Sequence, residues 1–233
     1  MRNLALAFCS IRPEQLSEEV CDYREKEYLT SLQQIERLLP ESFDLLICEN
    51  TINSEDQIKN TELKEYLSNS EIVSLGSDAN LGKSNKGMGE LLMLKTALQE
   101  TDIDKYANIT YISARHLLTC PYVFEKTEQL QKQALISNPD FVYLDGKFDR
   151  TYKIGLYNDM IFSMKSSVML DYANYAMNYV NPNQSQYGSE QVLYNFINEN
   201  NVEYEWLEWL GVIRNAWCIN QNIFLVRQKG YVV

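Results

Sequence analysis

The sequence has too few of several features to fit many protein classes. Its 233 residues include nine glycines and five prolines, which excludes collagen-like and other low-complexity chains. It has no apolar run near the about 20 residues of a membrane helix. Its start, MRNLALAFCS, has too short an apolar run for a signal peptide. We therefore expect a globular, cytoplasmic protein without a transmembrane segment.

Cysteine is sparse and is not spaced as a metal or disulfide motif requires. The five cysteines are Cys9, Cys21, Cys48, Cys120 and Cys218, an odd number without a CxxC pair. This pattern is typical of reduced, mostly buried thiols in a cytosolic protein and argues against a zinc site.

Basic residues are in deficit, with 21 lysines and arginines against 32 aspartates and glutamates, a net charge of −11. A negative field of this size opposes binding to nucleic acid. A small anionic ligand is not excluded, because a few cations can reverse the potential inside one cleft. The 45% hydrophobic fraction is sufficient for a core, and the 16 tyrosines suit either packing or stacking on bases and sugars.

Apolar segments alternate between strand and helix patterns in the first half. Buried strands are predicted at residues 3–11, 43–50, 71–76 and 108–116. Residues 12–22 read as a polar loop, and helical faces recur over 28–39 and 88–98. The polar segment before the third strand is left open as loop or helix. This order predicts an α/β fold with a mostly parallel central sheet flanked by helices.

The second half is predicted to complete the same domain, so that 1–233 forms one unit with halves 1–120 and 121–233. Its predicted elements are a helix over 122–136, strands over 141–146 and 153–164, a helix over 166–177, a helix capped by Ser189, and apolar strands in the tail. Together they suggest an α+β half beside the parallel sheet.

Polar residues follow each predicted strand of the first half. They are Ser10-Ile11-Arg12, Glu49-Asn50-Thr51, Asp78 to Lys86, and Ser113 to His116. Right-handed crossovers place these loops at one sheet edge, where open α/β sheets bind their ligands. We therefore expect them to converge on one cleft.

The loop NLGKSNKG, residues 80–87, has two interpretations. Backbone N–H groups at the helix start, helped by Lys83 and Lys86, favour a phosphate. Asn85 and Lys86 are the best placed. The loop matches neither a P-loop nor GxGxxG, and a solvated turn with Asn80 and Gly82 in left-handed conformations remains the alternative.

Arg115 and His116, the only histidine, stand at the end of the fourth predicted strand. Arg115 can bind a diphosphate with two hydrogen bonds, and His116 can add one that depends on pH. The alternative is that Arg115 pairs with a carboxylate and His116 is a packed ring. A catalytic triad would need His116, and no nucleophile-elbow motif accompanies it.

Four carboxylates are candidates for chemistry: Asp145, Asp149, Asp159 and Glu190. Asp145 and Asp149 can ligate a divalent metal, although an Asp-Gly turn is also an ordinary hairpin feature. Glu190 begins a predicted helix, where a negative charge is favourable in any case.

Several of these motifs together resemble glycosyltransferases of the GT-A type. They are LALAFCSI, DLLICENT, NLGKSNKG and ITYISARH, within residues 3–120, and ITYISARH is similar to the "ISGRY"-like segment of a bacterial and viral branch. The resemblance implies a GT-A-like fold and transfer of a sugar from a nucleotide-diphosphate donor to a glycan or other acceptor hydroxyl. Surface polysaccharide synthesis is one setting for such an activity.

The resemblance also implies roles for particular residues. Those implied to bind substrate are Ser10, Glu49, Asn50, Asn85, Lys86, Arg115 and His116. An inverting transfer needs a carboxylate base, for which we favour Glu190 and Asp145.

One departure from the GT-A pattern concerns the metal. Many such enzymes end the fourth strand with Asp-x-Asp, which holds Mg²⁺ or Mn²⁺, whereas this chain has Ser113-Ala114-Arg115. Metal dependence is therefore left open. Arg115, His116 and Lys86 can stabilise the leaving diphosphate instead. The missing carboxylates also fit a catalytically silent nucleotide- or glycan-binding module. Another α/β protein, such as a methyltransferase, is the third hypothesis.

Overall fold

The structure is a computed structural model that describes residues 1–74, 86–137, 141–142, 157–180, 188–207, 211–216 and 222–228. The helices in these ranges are α1 Glu18–Leu38, α2 Thr61–Ser68, α3 Lys86–Glu100, α4 Tyr122–Glu128, α5 Ser166–Ala176 and α6 Ser189–Glu199. The strands are β1 Arg2–Cys9, β2 Phe43–Glu49, β3 Ile72–Ser74, β4 Tyr106–Ser113, β5 His116–Leu118, β6 Ala134–Ser137, β7 Phe141–Val142, β8 Asn158–Lys165, β9 Tyr204–Leu207, β10 Val212–Ala216 and β11 Asn222–Gln228.

The central sheet has seven strands in the order β3-β2-β1-β4-β8-β6-β9. Of the strands described in this sheet, β8 alone runs opposite to the others, being antiparallel to both β4 and β6. The prediction of a mostly parallel sheet flanked by helices is confirmed. The carboxyl ends of β2, β1, β4, β6 and β9 consequently share one edge.

Strand β1 lies in the middle of this sheet because its side chains are apolar on both faces. Leu4, Leu6 and Phe8 pack in one cluster with α3, α5 and α6. Ala5 and Ala7 pack in a second cluster with α1, α2 and α4. The period of two along the strand thus covers both faces of the sheet with helices.

A second sheet, in the order β5-β10-β11-β7, begins directly after β4. The chain leaves the central sheet at Ser113, turns through Ala114 and Arg115, and enters β5 at His116. The prediction of one continuous strand over 108–116 is therefore wrong at its end. The break occurs because β5 pairs with β10, which lies far along the chain and leaves no local signal in the sequence.

Three further predictions need adjustment. The loop predicted over 12–22 is too long, since α1 begins at Glu18, where Ser17 caps the helix and accepts from the Val20 N–H at 3.4 Å. The helix predicted over 122–136 is wrong in its second part, where β6 lies between β8 and β9. Gly188, and not Ser189, is the N-cap residue of α6.

The remaining predictions fit the described ranges. The polar segment before β3 contains α2, and α5 corresponds to the helix predicted over 166–177. Strands β7, β8, β10 and β11 lie within the segments predicted as strands or extend them slightly. None of the described helices has the length and apolarity needed to span a bilayer.

Candidate functional site

The loops after β1 and β2 are joined by direct hydrogen bonds at the shared sheet edge. Ser10 Oγ donates to Asn50 Oδ1 at 2.7 Å, and the Arg12 N–H donates to Thr51 Oγ1 at 2.9 Å. Ser10, Glu49 and Asn50, three of the predicted site residues, are thus brought together.

Glu49 holds these two loops from inside the protein. Its side chain is 1% exposed, and its carboxylate accepts the Ile11 N–H at 3.2 Å and the Thr51 N–H at 2.6 Å. Burial raises the pKa of Glu49, while the hydrogen bonds from Thr51 and Ile11 oppose that shift. This geometry gives Glu49 a positioning role; its contact with substrate stays a prediction.

Arg24, on α1, is a candidate site residue that the sequence analysis missed. Its side chain lies beneath the β1 loop, where Nη2 donates to the Ser10 carbonyl and, at 3.1 Å, to the Tyr28 hydroxyl. The Tyr28 hydroxyl in turn accepts the Ser10 N–H at 3.0 Å. The spacing of four between Arg24 and Tyr28 on one helical face was the available signal.

Arg24 is only 6% exposed. None of the described carboxylates forms an ion pair with it, although its charge lowers the pKa of the buried Glu49 carboxyl. Its Nε is buried and makes no hydrogen bond within the described residues. The two hydrogen bonds from Nη2 lower the cost of burying this cation, and Nε remains as a donor for an anion that binds at this edge.

Arg12, close to Arg24 in sequence, has a different environment. Its guanidinium forms ion pairs with Glu18, Asp22 and Glu25 of α1. Glu25 also accepts the backbone N–H of Asn60 at 2.6 Å, which ties the β1 loop to the start of α2. Arg12 therefore stabilises the frame of the site and is already occupied by carboxylates.

Arg115 lies in the turn between the two sheets, where the neighbouring Ala114 N–H donates to the Phe8 carbonyl at 2.9 Å. Burial raises the pKa of Tyr28, and the charges of Arg24 and Arg115 both oppose that shift. Arg115 is thus within electrostatic reach of the Tyr28 hydroxyl. The turn brings a second cation to the side of the site that Arg24 occupies.

His116 begins β5 and is 8% exposed. Its carbonyl accepts from Ser31 Oγ of α1 at 2.9 Å. This burial between α1 and the second sheet agrees with the packed-ring alternative, and ligand binding by His116 stays a prediction.

Acidic residues gather around two tyrosine hydroxyls on the face of the sheet that α3, α5 and α6 cover. They lie at the same edge as the end of β4, because Asp159 is two residues before Ile161, the partner of Ile112. Burial raises the pKa of Tyr111, as do the charges of Glu90 and Asp159. Burial likewise raises the pKa of Tyr172, as do Asp159, Glu190 and Glu90. The three carboxylates come from α3, β8 and α6. We call Glu90, Asp159 and Glu190 the acidic group.

Within the acidic group, Asp159 is held by its neighbour on α6. Ser189 Oγ donates to Asp159 Oδ2, which joins the start of α6 to β8. The predicted base Glu190 follows Ser189 directly. Asp159 and Glu190 both raise the pKa of Tyr172, so the two carboxylates that the sequence analysis weighed lie within electrostatic reach of the same hydroxyl.

Some predicted site residues lie outside the described ranges. These are Asn85, Asp145 and Asp149, together with most of the loop over 80–87. Lys86 is the first residue of α3, and its side chain is not among those described. Across the described part of the chain, no three His, Cys, Asp or Glu side chains are grouped as a metal site requires.

Known proteins resemble this chain in fold but not in sequence. No protein-family model matches the chain, and no curated protein matches its sequence. A solved structure from Desulfovibrio desulfuricans G20, described as a nucleotide-diphospho-sugar transferase, matches with a TM-score of 0.54 and 14% identity over 89% of this chain and 80% of that chain. The chain has the fold of the nucleotide-diphospho-sugar transferases.

A second solved structure supports the same fold. It is a 4-diphosphocytidyl-2C-methyl-D-erythritol synthase from Anaerococcus prevotii DSM 20548, with a TM-score of 0.51 and 11% identity over 88% of this chain and 86% of that chain. The GT-A-like fold expected from the sequence is confirmed. The narrower resemblance to an "ISGRY"-like branch stays a prediction.

Proposed function

We propose that this chain is a glycosyltransferase that moves a sugar from a nucleotide-diphosphate donor to an acceptor hydroxyl. The observation that carries the proposal is Arg24, a buried cation without an ion-paired carboxylate among the described residues, at the ligand-binding edge of a GT-A-like sheet. The proposal treats 1–233 as one domain, with a donor half at 1–120 and an acceptor half at 121–233. A glycan is the acceptor class, and surface polysaccharide synthesis is one setting.

The donor side of the proposed site is the edge formed by β1, β2 and β4. Ser10 and Asn50 present polar groups to the nucleoside, with Glu49 and Arg24 fixing the Ser10 loop. Arg24 and Arg115 attract the diphosphate, and Asn85, Lys86 and His116 are further proposed contacts. As the bond from the anomeric carbon to the diphosphate oxygen breaks, the electron pair goes to that oxygen. Fixed guanidinium groups stabilise the charge that develops there.

The acceptor side is the acidic group. Glu190 is the proposed base that takes the proton of the acceptor hydroxyl as its oxygen bonds to the anomeric carbon. Asp159, held by Ser189, is a second carboxylate in reach of the same acceptor, and Asp145 stays a proposed third. Attack from the face opposite the diphosphate gives inversion at the anomeric carbon.

The described donors at the end of β4 do not fit a divalent metal. Mg²⁺ and Mn²⁺ take carboxylate and other oxygen ligands, whereas Ser113 is followed here by Ala114 and a guanidinium. No step of the proposed reaction is therefore assigned to a metal.

A thermal-shift screen tests the proposal. UDP, GDP, CDP and ADP, each with and without Mn²⁺, are added to the full chain, and the best ligand is then supplied as its sugar nucleotide. Binding to the folded state raises the melting temperature by an amount that grows with RT ln(1 + [L]/Kd). We expect a shift with at least one nucleotide and release of sugar from the matching donor. No shift with any of them at millimolar concentration overturns the proposal.

The missing Asp-x-Asp favours a second candidate, a catalytically silent nucleotide- or glycan-binding module on the same scaffold. The same screen separates the two. Nucleotide binding without release or transfer of sugar supports the silent module, and turnover excludes it.

A further inference from the structure

Four aromatic residues lie on the acceptor side of the sheet, and we call them the aromatic platform. Tyr157 immediately precedes β8, Tyr194 is on α6, and Tyr204 and Trp206 are on β9. The centroid of the Trp206 ring is 4.9 Å from that of Tyr204 and 6.0 Å from that of Tyr157, which is 5.2 Å from Tyr194. The four rings therefore form one continuous cluster.

Trp206 is the open part of the aromatic platform. It is 44% exposed, whereas Tyr157 is 6% exposed. The rings of Tyr204 and Tyr157 meet the indole at 78° and 75°, so neither is stacked parallel to it. The platform thus presents the side chain of Trp206 to solvent, supported by the rings of Tyr204 and Tyr157.

The sheet register relates Trp206 to the proposed site. Trp206 pairs with Ile136 of β6, Ile136 with Phe162 of β8, and Phe162 with Tyr111 of β4. Trp206 is therefore three strands from β4, or about 14 Å at the usual strand spacing. At its inner end the platform reaches Tyr157, two residues before Asp159 of the acidic group. Asp159 is on β8, two strands from β9, or about 10 Å at the usual strand spacing, so a ligand that reaches from it to Trp206 must be longer than one sugar ring.

The chemistry of the platform suits a sugar ring. A pyranose has a face of C–H groups that packs on the electron-rich face of an aromatic ring, and a rim of hydroxyls that needs polar partners. The Tyr157 hydroxyl donates to the Tyr204 hydroxyl at 3.3 Å. Burial and this hydrogen bond raise the pKa of Tyr157, so the hydroxyl keeps its proton at neutral pH.

The exposed area is small for a protein partner. A stable protein interface buries about 800 Å² on each side around a core of several apolar residues. Within the described residues, the exposed large hydrophobic side chains are Met1, Tyr23 and Trp206. One exposed indole on largely covered tyrosines matches the size of a single ring instead.

We propose that the aromatic platform binds a sugar ring of an oligosaccharide acceptor, with Trp206 stacking on a ring beyond the one that carries the reacting hydroxyl. This inference rests on the proposed function, which supplies the glycan acceptor, and it adds a binding position for a second sugar ring of that acceptor. Trp206 is a specificity-determining residue in this assignment and takes no part in the bond-breaking step.

The test uses the indole N–H signals of the ¹⁵N-labelled chain, which contains three tryptophans. The Trp206→Phe variant identifies the Trp206 signal by its loss. The probes are hexasaccharides of glucose, galactose, mannose and N-acetylglucosamine, together with the corresponding monosaccharides. We expect at least one hexasaccharide to move the Trp206 signal at concentrations where its monosaccharide does not.

Matched variants complete the test. Trp206→Ala should weaken binding of that hexasaccharide about tenfold or more, and Trp206→Phe should weaken it less. Tyr23→Ala, which removes an exposed aromatic ring from α1, should leave it unchanged. No response to any hexasaccharide, or equal binding by Trp206→Ala, overturns the assignment.

The two proposals fail separately. Trp206→Ala should keep the nucleotide-induced thermal shift of the unmodified chain. If the nucleotide shift is present and the hexasaccharide response absent, the platform assignment alone is overturned. If Trp206 binds a hexasaccharide but no nucleotide shifts the melting temperature, the transferase proposal fails and the sugar site remains.

Discussion

Arg24 and Glu49 hold the same peptide group from two sides. Arg24 Nη2 donates to the carbonyl of Ser10, and Glu49 Oε2 accepts the N–H of Ile11 at 3.2 Å. The two side chains form no ion pair with each other, although the charge of Arg24 lowers the pKa of Glu49 against the effect of burial. The peptide that ends β1 is therefore fixed while the guanidinium of Arg24 keeps hydrogen-bonding capacity.

The buried carboxyl of Glu49 predicts a pH-dependent stability. Because burial raises its pKa in the folded state, its contribution to the free energy of unfolding is fully present below the unfolded pKa of about 4.3. It is lost as the pH rises through the folded value. Relative to Glu49→Gln, the unmodified chain should lose unfolding free energy as the pH rises above about 4, as measured by urea titration. The exposed variant Glu19→Gln is the control. A difference that stays constant or grows with pH would contradict this account.

Replacing Arg24 should weaken nucleotide binding more than it weakens the fold. A hydrogen bond to a charged group contributes about 1.5–3 kcal/mol, so Arg24→Gln should raise the Kd for the best nucleoside diphosphate about 10- to 100-fold. Arg24→Lys keeps the positive charge but loses the planar set of donors of the guanidinium. Its Kd should therefore lie between those of the unmodified chain and Arg24→Gln. Calorimetry gives the Kd, and circular dichroism checks the fold.

Arg37→Gln is the matched control for Arg24, because it removes one positive charge from the exposed last turn of the same helix. It should leave the Kd unchanged. Equal losses of nucleotide affinity in Arg24→Gln and Arg37→Gln would show that net charge explains the effect. They would contradict a place for Arg24 in the binding site.

Arg115→Ala should abolish donor hydrolysis and transfer while leaving the fold intact. The residue lies in the turn between β4 and β5, so its side chain is not part of either strand ladder. Its loss removes charge stabilisation from the leaving diphosphate. Turnover with the donor found in the screen is the measurement, and the melting temperature without ligand reports on folding. Unchanged turnover would contradict this role for Arg115.

The sequence predicts the middle of the fold better than its junctions. Strand β1 is predictable because LALAFC is apolar at every position and too short for a helix, which fits a strand covered on both faces. The burial of Arg24 is not, because it depends on a carbonyl and a hydroxyl that meet only after α1 packs on β1. Strand β6 was missed since four buried residues carry no period that separates strand from helix.

The candidate site likewise has a part that the sequence predicts and a part that it does not. Ser10, Glu49 and Asn50 were predictable because they follow strands whose ends share an edge. The grouping of Glu190 with Glu90 and Asp159 was not predictable, since it requires three elements from both halves of the chain to converge on Tyr111 and Tyr172.

Glu190→Gln should separate chemistry from binding. A general base contributes about 10²–10⁴ in rate, so kcat should fall at least about 100-fold with little change in the KM for the donor. Glu199→Gln, at the exposed end of the same helix, is the control and should keep kcat. If Asp159→Asn and not Glu190→Gln lowers kcat, the base is Asp159, and Glu190 is left with the electrostatic role that its place at the start of α6 provides.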